Sequence, residues 1–192
     1  GGGGWGYSNL QTGDTSQTQY GALALWMAAN HGHQIPQDSA ERLCGWLVRT
    51  QDPTGTWGYQ GQDPGGYNRI NQPKDQFRMS LHVGGIGSLY VAADLLGIIQ
   101  SKQVQVESTL PPALRPVGQP EGAKRRPGRL GELRLFDVGL ARKAIADGDQ
   151  FFTQNYKVDP GYQLHYYLYG LERYQSFKEL AAGRFEKEPR WY

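Results

Sequence analysis

The stretch from Trp46 to Tyr59, WLVRTQDPTGTWGY, restricts the fold more than any other part of the chain. Trp46 and Leu47 close an apolar stripe at helical spacing, and Gln51 follows just past the last turn. Asp52-Pro53 stops the helix, because the residue before a proline is pushed out of the α region and proline has no backbone N–H to donate. Thr54-Gly55 turns the chain, and Trp57 follows as a fixed aromatic. The chain also opens on the tail of what reads as a second copy, since Gly4-Trp5-Gly6-Tyr7 matches Gly55-x-Trp57-Gly58-Tyr59. Their separation lies just above the roughly 20–50 residues usual for repeat architectures. Ordinary loop aromatics are the alternative; a helix start with similar flanking signals after the first copy favours the repeat.

The apolar pattern predicts five helices. Asp14 and Gln17 stand in capping-box spacing before a helix over 16–30. Tyr20, Leu23, Leu25, Trp26, Met27 and Ala28 make that helix apolar on nearly every side, so burial on both faces is expected. Pro36 and Asp38 open the next, with Glu41 again at capping-box distance. There Ala40, Leu43, Cys44, Leu47 and Val48 form one stripe, while Glu41, Arg42 and Arg49 stay polar, the pattern of a half-buried helix. A third helix, about 76–96, is apolar throughout. Gly84, Gly85 and Gly87 in its middle each cost about 1 kcal/mol against alanine, which implies either close helix packing or clearance for a ligand. Gly97 suits a C-cap. Helices over 138–156 (one-sided) and 163–182 (carrying HYYLYGLERY) complete the set.

Between the third and fourth helices, residues 98–137 hold five prolines and the basic cluster Lys124-Arg125-Arg126 and Arg129. This is read as a long insertion loop with a solvated charge run. The net charge of +2 gives no bulk electrostatic case for nucleic acid. The longest apolar run, 20–29, is too short to span a bilayer. No signal peptide is visible and nothing fixes the compartment. The 192 residues suffice for one domain with a real core, and the lone Cys44 excludes an internal disulfide.

The spacing of aromatic, Leu, Gln, Gly and Trp around Gln51 resembles the Gln-Trp repeat of the squalene cyclases and protein prenyltransferases. DTSQTQYGALALWMAA, MSLHVGGIGSLYVAADLLG and YYLYGLERY are similar to segments of bacterial repeat proteins grouped with that family. The resemblance covers about three-quarters of the chain and fails over 98–137. It implies an all-α fold, part of an α/α toroid in which inner and outer helices alternate, with residues 1–192 forming a single, incomplete domain. It also implies that Trp46, Gln51, Gly55 and Trp57 brace the structure, the glutamine amide stacking on the tryptophan ring and tying outer helices together. An open toroid exposes its inner wall, so the rest of the toroid or a partner protein is expected to cover it.

The family's chemistries find little footing in these residues. Cyclases of this kind protonate an alkene with an aspartate-rich motif. Asp14 is a single aspartate at a helix N-terminus, where the dipole favours the ionised form, so it is a weak catalytic candidate and a strong cap. The prenyltransferase zinc site needs Asp, Cys and His, but Cys44 sits in an apolar stripe and His31-x-His33 sits at a helix end. No metal or cofactor is expected. Paired carboxylates of the glycosidase type remain open among Asp14, Asp63, Asp75 and Asp159, all in loops at helix entries. The candidate ligand-binding residues are aromatic: Tyr20, Trp26, His82, Tyr90, His165, Tyr166 and Tyr169, on the three inner-type helices. Either they line a cavity for a hydrophobic, isoprenoid-like molecule or they fill the middle. The expected function is therefore a toroid-type domain that binds a hydrophobic ligand or a partner and lacks a catalytic set. The alternative is part of a terpenoid-cyclase-type enzyme whose acidic motif lies outside this chain.

Overall fold

In the computed structural model the described residues are 2–8, 12–99, 133–135, 137–161 and 163–184. They form five α-helices: α1 (Thr15–Asn30), α2 (Gln37–Arg49), α3 (Met79–Leu95), α4 (Val138–Asn155) and α5 (Leu164–Ala181). A 3-10 turn at Lys74–Gln76 precedes α3, and no strand occurs among the described residues. The fold class is all-α. Most of the 98–137 insertion with its basic cluster, Tyr162 and the terminal Arg190-Trp191-Tyr192 lie outside the described residues.

Helix α3 is the common element. It packs against α5 most extensively, then against α1, α2 and α4, and α2 also touches α4. Every residue from Ser80 to Asp94 is buried. Its glycines follow from that position. A Cβ on Gly85 meets the Trp57 ring at 2.6 Å, and one on Gly84 meets Gln19 Oε1 at 2.7 Å. At Gly87 the neighbour is the backbone of Tyr174 in α5. The three therefore serve close packing; at Gly84 the group admitted is Gln19, which in turn holds Tyr166.

Two expectations are corrected. Helix α1 is not buried on both faces: only Thr15, Thr18, Gln19 and Ala22 are buried, and half of Tyr20 and Met27 meets solvent. It flanks α3, so one face of its apolar surface has a helix to pack on. Helix α2, expected to be wetted on its back, is more enclosed, with eight of its residues buried. Loops cover it. Gly4 and Gly13 lie against the Trp46 ring, and Gly3 lies so close to the Arg42 carbonyl that no side chain fits.

Glu41, expected to stay on a polar face and to close a capping box, is fully buried. Its carboxylate accepts from Gln37 Nε2 (2.6 Å) and from the backbone N–H groups of Arg134 (3.0 Å) and Leu135 (2.9 Å). Those bonds fasten the end of the long connection to α2 and offset the cost of burying a charge. Pro36, without a side-chain cap, precedes α2.

The turn after α2 is a bracing point. Gln51 Nε2 donates to the carbonyls of Gly55 (3.0 Å) and Ala144 (2.9 Å), joining the end of α2 to α4. Gly55 has φ of +97°, and a Cβ there would lie 2.3 Å from the Asp147 carbonyl oxygen, so only glycine fits. Trp57 is fully buried and donates from Nε1 to the Leu47 carbonyl at 2.9 Å. Trp46 is buried as well.

Candidate functional site

The site grows from the first turn of α1, which is clamped between the two copies of the Gly-x-Trp-Gly-Tyr motif. On one side Asp14 N–H donates to the Trp5 carbonyl (2.7 Å) and Trp5 N–H donates to Thr18 Oγ1 (3.0 Å). On the other side Thr15 N–H donates to the Tyr59 carbonyl (2.9 Å) and Thr15 Oγ1 to the Gly58 carbonyl (2.7 Å). The helix has used its own orphan N–H and hydroxyl groups to hold both loops. The tyrosine that ends each motif, Tyr7 and Tyr59, is thereby delivered to the same place.

That place is an open cleft of about 590 Å³, within the range of small-molecule sites. Tyr7 and Tyr59 form part of its wall, with Ser16 and Tyr20 from α1. The 3-10 turn adds Asp75 and Gln76, and the start of α3 adds Arg78 and Leu81. Gln163 and Tyr166 come from the start of α5. The N-terminal ends of α1, α3 and α5 thus converge on it.

Local structure explains each position. Gln60 N–H donates to Gln76 Oε1 at 2.9 Å, which ties the second motif loop to the 3-10 turn and sets Asp75 at the rim. Arg78 donates to the carbonyls of Asp75 and Phe77, both at 2.7 Å. Gln163 is the N-cap of α5 with φ of 56° and ψ of 44°, and its side chain caps nothing. A non-glycine residue in that left-handed region carries strain, which clusters at ligand sites.

Hydrogen bonds couple the wall to the core. Tyr166 donates to the buried Gln19 Oε1 at 2.9 Å, and Gln17 Nε2 donates to Tyr7 Oη at 3.3 Å. The Tyr59 phenol is pushed above its ordinary pKa, first by hydrogen bonding with Tyr7, then by burial and the Asp14 carboxylate. Tyr166 is also raised, by burial and by the neighbouring Tyr20 and Asp14. Both hydroxyls therefore stay protonated at neutral pH, and that of Tyr166 is committed to Gln19.

Asp14 lies behind this wall, fully buried. Its Oδ1 caps α1 by accepting from the Gln17 N–H (3.0 Å) and also accepts from Ser16 Oγ. Its Oδ2 is buried without a hydrogen-bond partner.

Of the aromatic candidates read from the sequence, Tyr20 and Tyr166 line the cleft. Tyr169 stands beside it, stacked on Tyr20 with centroids 6.3 Å apart and covered by the Arg173 guanidinium. Trp26 lies elsewhere, donating from Nε1 to Asp94 Oδ2 (2.8 Å) and meeting Phe177 edge-on. Tyr90 donates to Asp149, as Tyr174 does. His165 is exposed. His82 is sealed among Trp57, Phe151 and Phe152. Burial pushes its pKa down to about 3, and the Gly148 carbonyl offsets only part of that desolvation.

Asp75, weighed from the sequence as a glycosidase-type carboxylate, lies at the rim, whereas Tyr7, Ser16, Tyr59, Gln76, Arg78, Leu81 and Gln163 were missed as site residues. The signal available for Tyr7 and Tyr59 was the recurring Trp-Gly-Tyr triplet, which ends in tyrosine at both places.

Neither a thiolate nor a metal-binding cluster accompanies the cleft among the described residues. Burial, and then Glu41, raise the Cys44 thiol far above its usual pKa, so it is not a thiolate. No group of three or more His, Cys, Asp or Glu side chains among the described residues could hold a metal ion. His31 Nδ1 meets the Met27 carbonyl at 2.8 Å at the end of α1. No described helix is long and apolar enough to cross a membrane. The chain matches no protein-family model, no curated protein and no solved structure.

Proposed function

We propose that this chain is a ligand-binding helical module. It follows the plan of the squalene cyclase and prenyltransferase toroids, with α1, α3 and α5 as the inner row and α2 and α4 behind. It binds a small molecule in the cleft at the N-terminal ends of that inner row and carries no catalytic set of its own. One observation supports this above the rest: the corresponding tyrosines of the two motif copies, Tyr7 and Tyr59, line one cleft together with Tyr20 and Tyr166. Four ring faces supply apolar surface, and their hydroxyls orient a ligand at its edges.

Native mass spectrometry of the full chain after gentle purification tests the reading. A bound small molecule is expected, retained by the native chain and lost from Tyr59→Ala and Tyr20→Ala variants that keep their helical circular dichroism. Protein that is consistently empty, or a molecule retained equally by both variants, contradicts it.

A second reading keeps Asp14 as an acid in a terpenoid-cyclase-type enzyme completed by sequence outside this chain. The buried, unpartnered Oδ2 of Asp14 favours it. A multi-aspartate motif upstream of Gly1 in the parent gene, together with turnover of an isoprenoid by the parent protein, decides for it.

A further inference from the structure

We infer that the ligand class of the cleft is a neutral, hydroxyl-rich ring compound, a short oligosaccharide, and not a hydrocarbon or an isoprenoid diphosphate. The inference rests on the reading that this cleft binds a small molecule. It follows from the balance of groups in the wall.

A hydrocarbon satisfies the tyrosine faces and nothing else. It displaces water from the Asp75 carboxylate and the Gln163 amide without replacing their hydrogen bonds, at about 1–3 kcal/mol for each group left unpaired. A diphosphate brings several negative charges and needs a cluster of cations or a carboxylate-held metal. The cleft wall has one guanidinium, Arg78, already donating to two carbonyls, and Asp75 beside it carries the opposite charge. No metal-binding cluster occurs among the described residues.

A sugar ring matches both halves of the wall. Its C–H face lies flat on a tyrosine ring, and its hydroxyl girdle both donates and accepts. The wall offers the complementary set: Asp75 accepts, Arg78 donates from its remaining N–H groups, Gln163 does both, and Ser16 and Tyr166, whose hydroxyl hydrogens go to Asp14 and Gln19, accept. The cleft is open and Tyr20 in its wall is half exposed, which leaves room for a chain of rings.

Isothermal titration calorimetry of the full chain tests the class, with maltotriose, cellotriose and chitotriose as neutral probes and geraniol and geranyl diphosphate as rivals. At least one trisaccharide is expected to bind. Its affinity falls at least tenfold in Tyr59→Ala and in Asp75→Asn, and stays unchanged in Val158→Ala, whose side chain is exposed away from the cleft wall. Should Tyr59→Ala fail to fold, Gln163→Gly gives a second cleft variant, because glycine accepts the same positive φ. Binding of geraniol or the diphosphate alone, lost in the same variants, overturns the saccharide class and leaves the binding reading standing. Binding of no probe, or saccharide binding indifferent to every cleft variant, overturns both.

Discussion

Helices α1 and α3 pack together, yet water reaches a whole face of one and only the ends of the other. Both sequences are rich in apolar residues without a one-sided stripe. In α3 every residue from Ser80 to Asp94 is buried; in α1 Tyr20 and Met27 stand half in solvent. The difference is the number of neighbours. Helix α3 packs against all four other helices, whereas α1 packs extensively on α3 and meets α5 only through side chains such as Tyr20 on Tyr169 and Trp26 on Phe177. An apolar surface states a capacity for burial, and the partners decide whether it is used. The glycines carry the finer signal. Gly84, Gly85 and Gly87 mark sides of α3 where another element comes within a side chain's width, while the one glycine inside α1, Gly21, admits only the ring of Trp5 from its own N-terminal loop.

The largest effect that could break this comparison is expected at Trp57. Trp57→Ala removes the ring that rests on Gly85 and leaves the Leu47 carbonyl unpaired. A loss of about 3–5 kcal/mol in a urea melt is expected, and a loss under 1 kcal/mol means α3 is not sealed on that side. Next comes Gly85→Ala. Alanine favours a helix by about 1 kcal/mol, but here its Cβ would sit 2.6 Å from the Trp57 ring. A net destabilisation of about 1–3 kcal/mol is expected; stabilisation would show that the ring yields freely.

His82, on the sealed helix, gives a pH test. Its pKa is near 6.5 when unfolded and about 3 when folded. Between those values the unfolded chain binds the extra proton, so stability falls as pH drops from about 6.5 toward 3. The slope from this one group is at most about 1.4 kcal/mol per pH unit. In His82→Leu the acid loss becomes shallower over that window; an unchanged slope places the loss on other groups. The smallest effect belongs to α1: Met27→Ala, on the wetted face, is expected to change stability by less than about 0.5 kcal/mol.

Much of the fold was legible because its signals are local. Asp14 caps α1 as its type and position dictate, Pro53 follows the end of α2, and Gly97 takes the positive φ that ends α3. What could not be read was what covers each helix. Loops bury α2 through contacts such as Gly4 on Trp46, and Glu41 is buried because residues 134 and 135 return to it from far along the chain. The site was half legible for the same reason. Aromatics on α1, α3 and α5 were identifiable, but which end of the helices they share depends on register. Hence Tyr20 and Tyr166 meet at one end while Tyr90 is held by Asp149 in a separate contact with α4.

Hydrogen–deuterium exchange read by mass spectrometry tests the central claim most directly, since amides open to water only when their packing lets go. Peptides spanning 79–95 should exchange slowest in the chain, through global unfolding alone, and those spanning 20–30 should exchange measurably faster. Equal or greater protection of 20–30 would contradict the account, because it would mean that α1 is covered where this structure leaves it open.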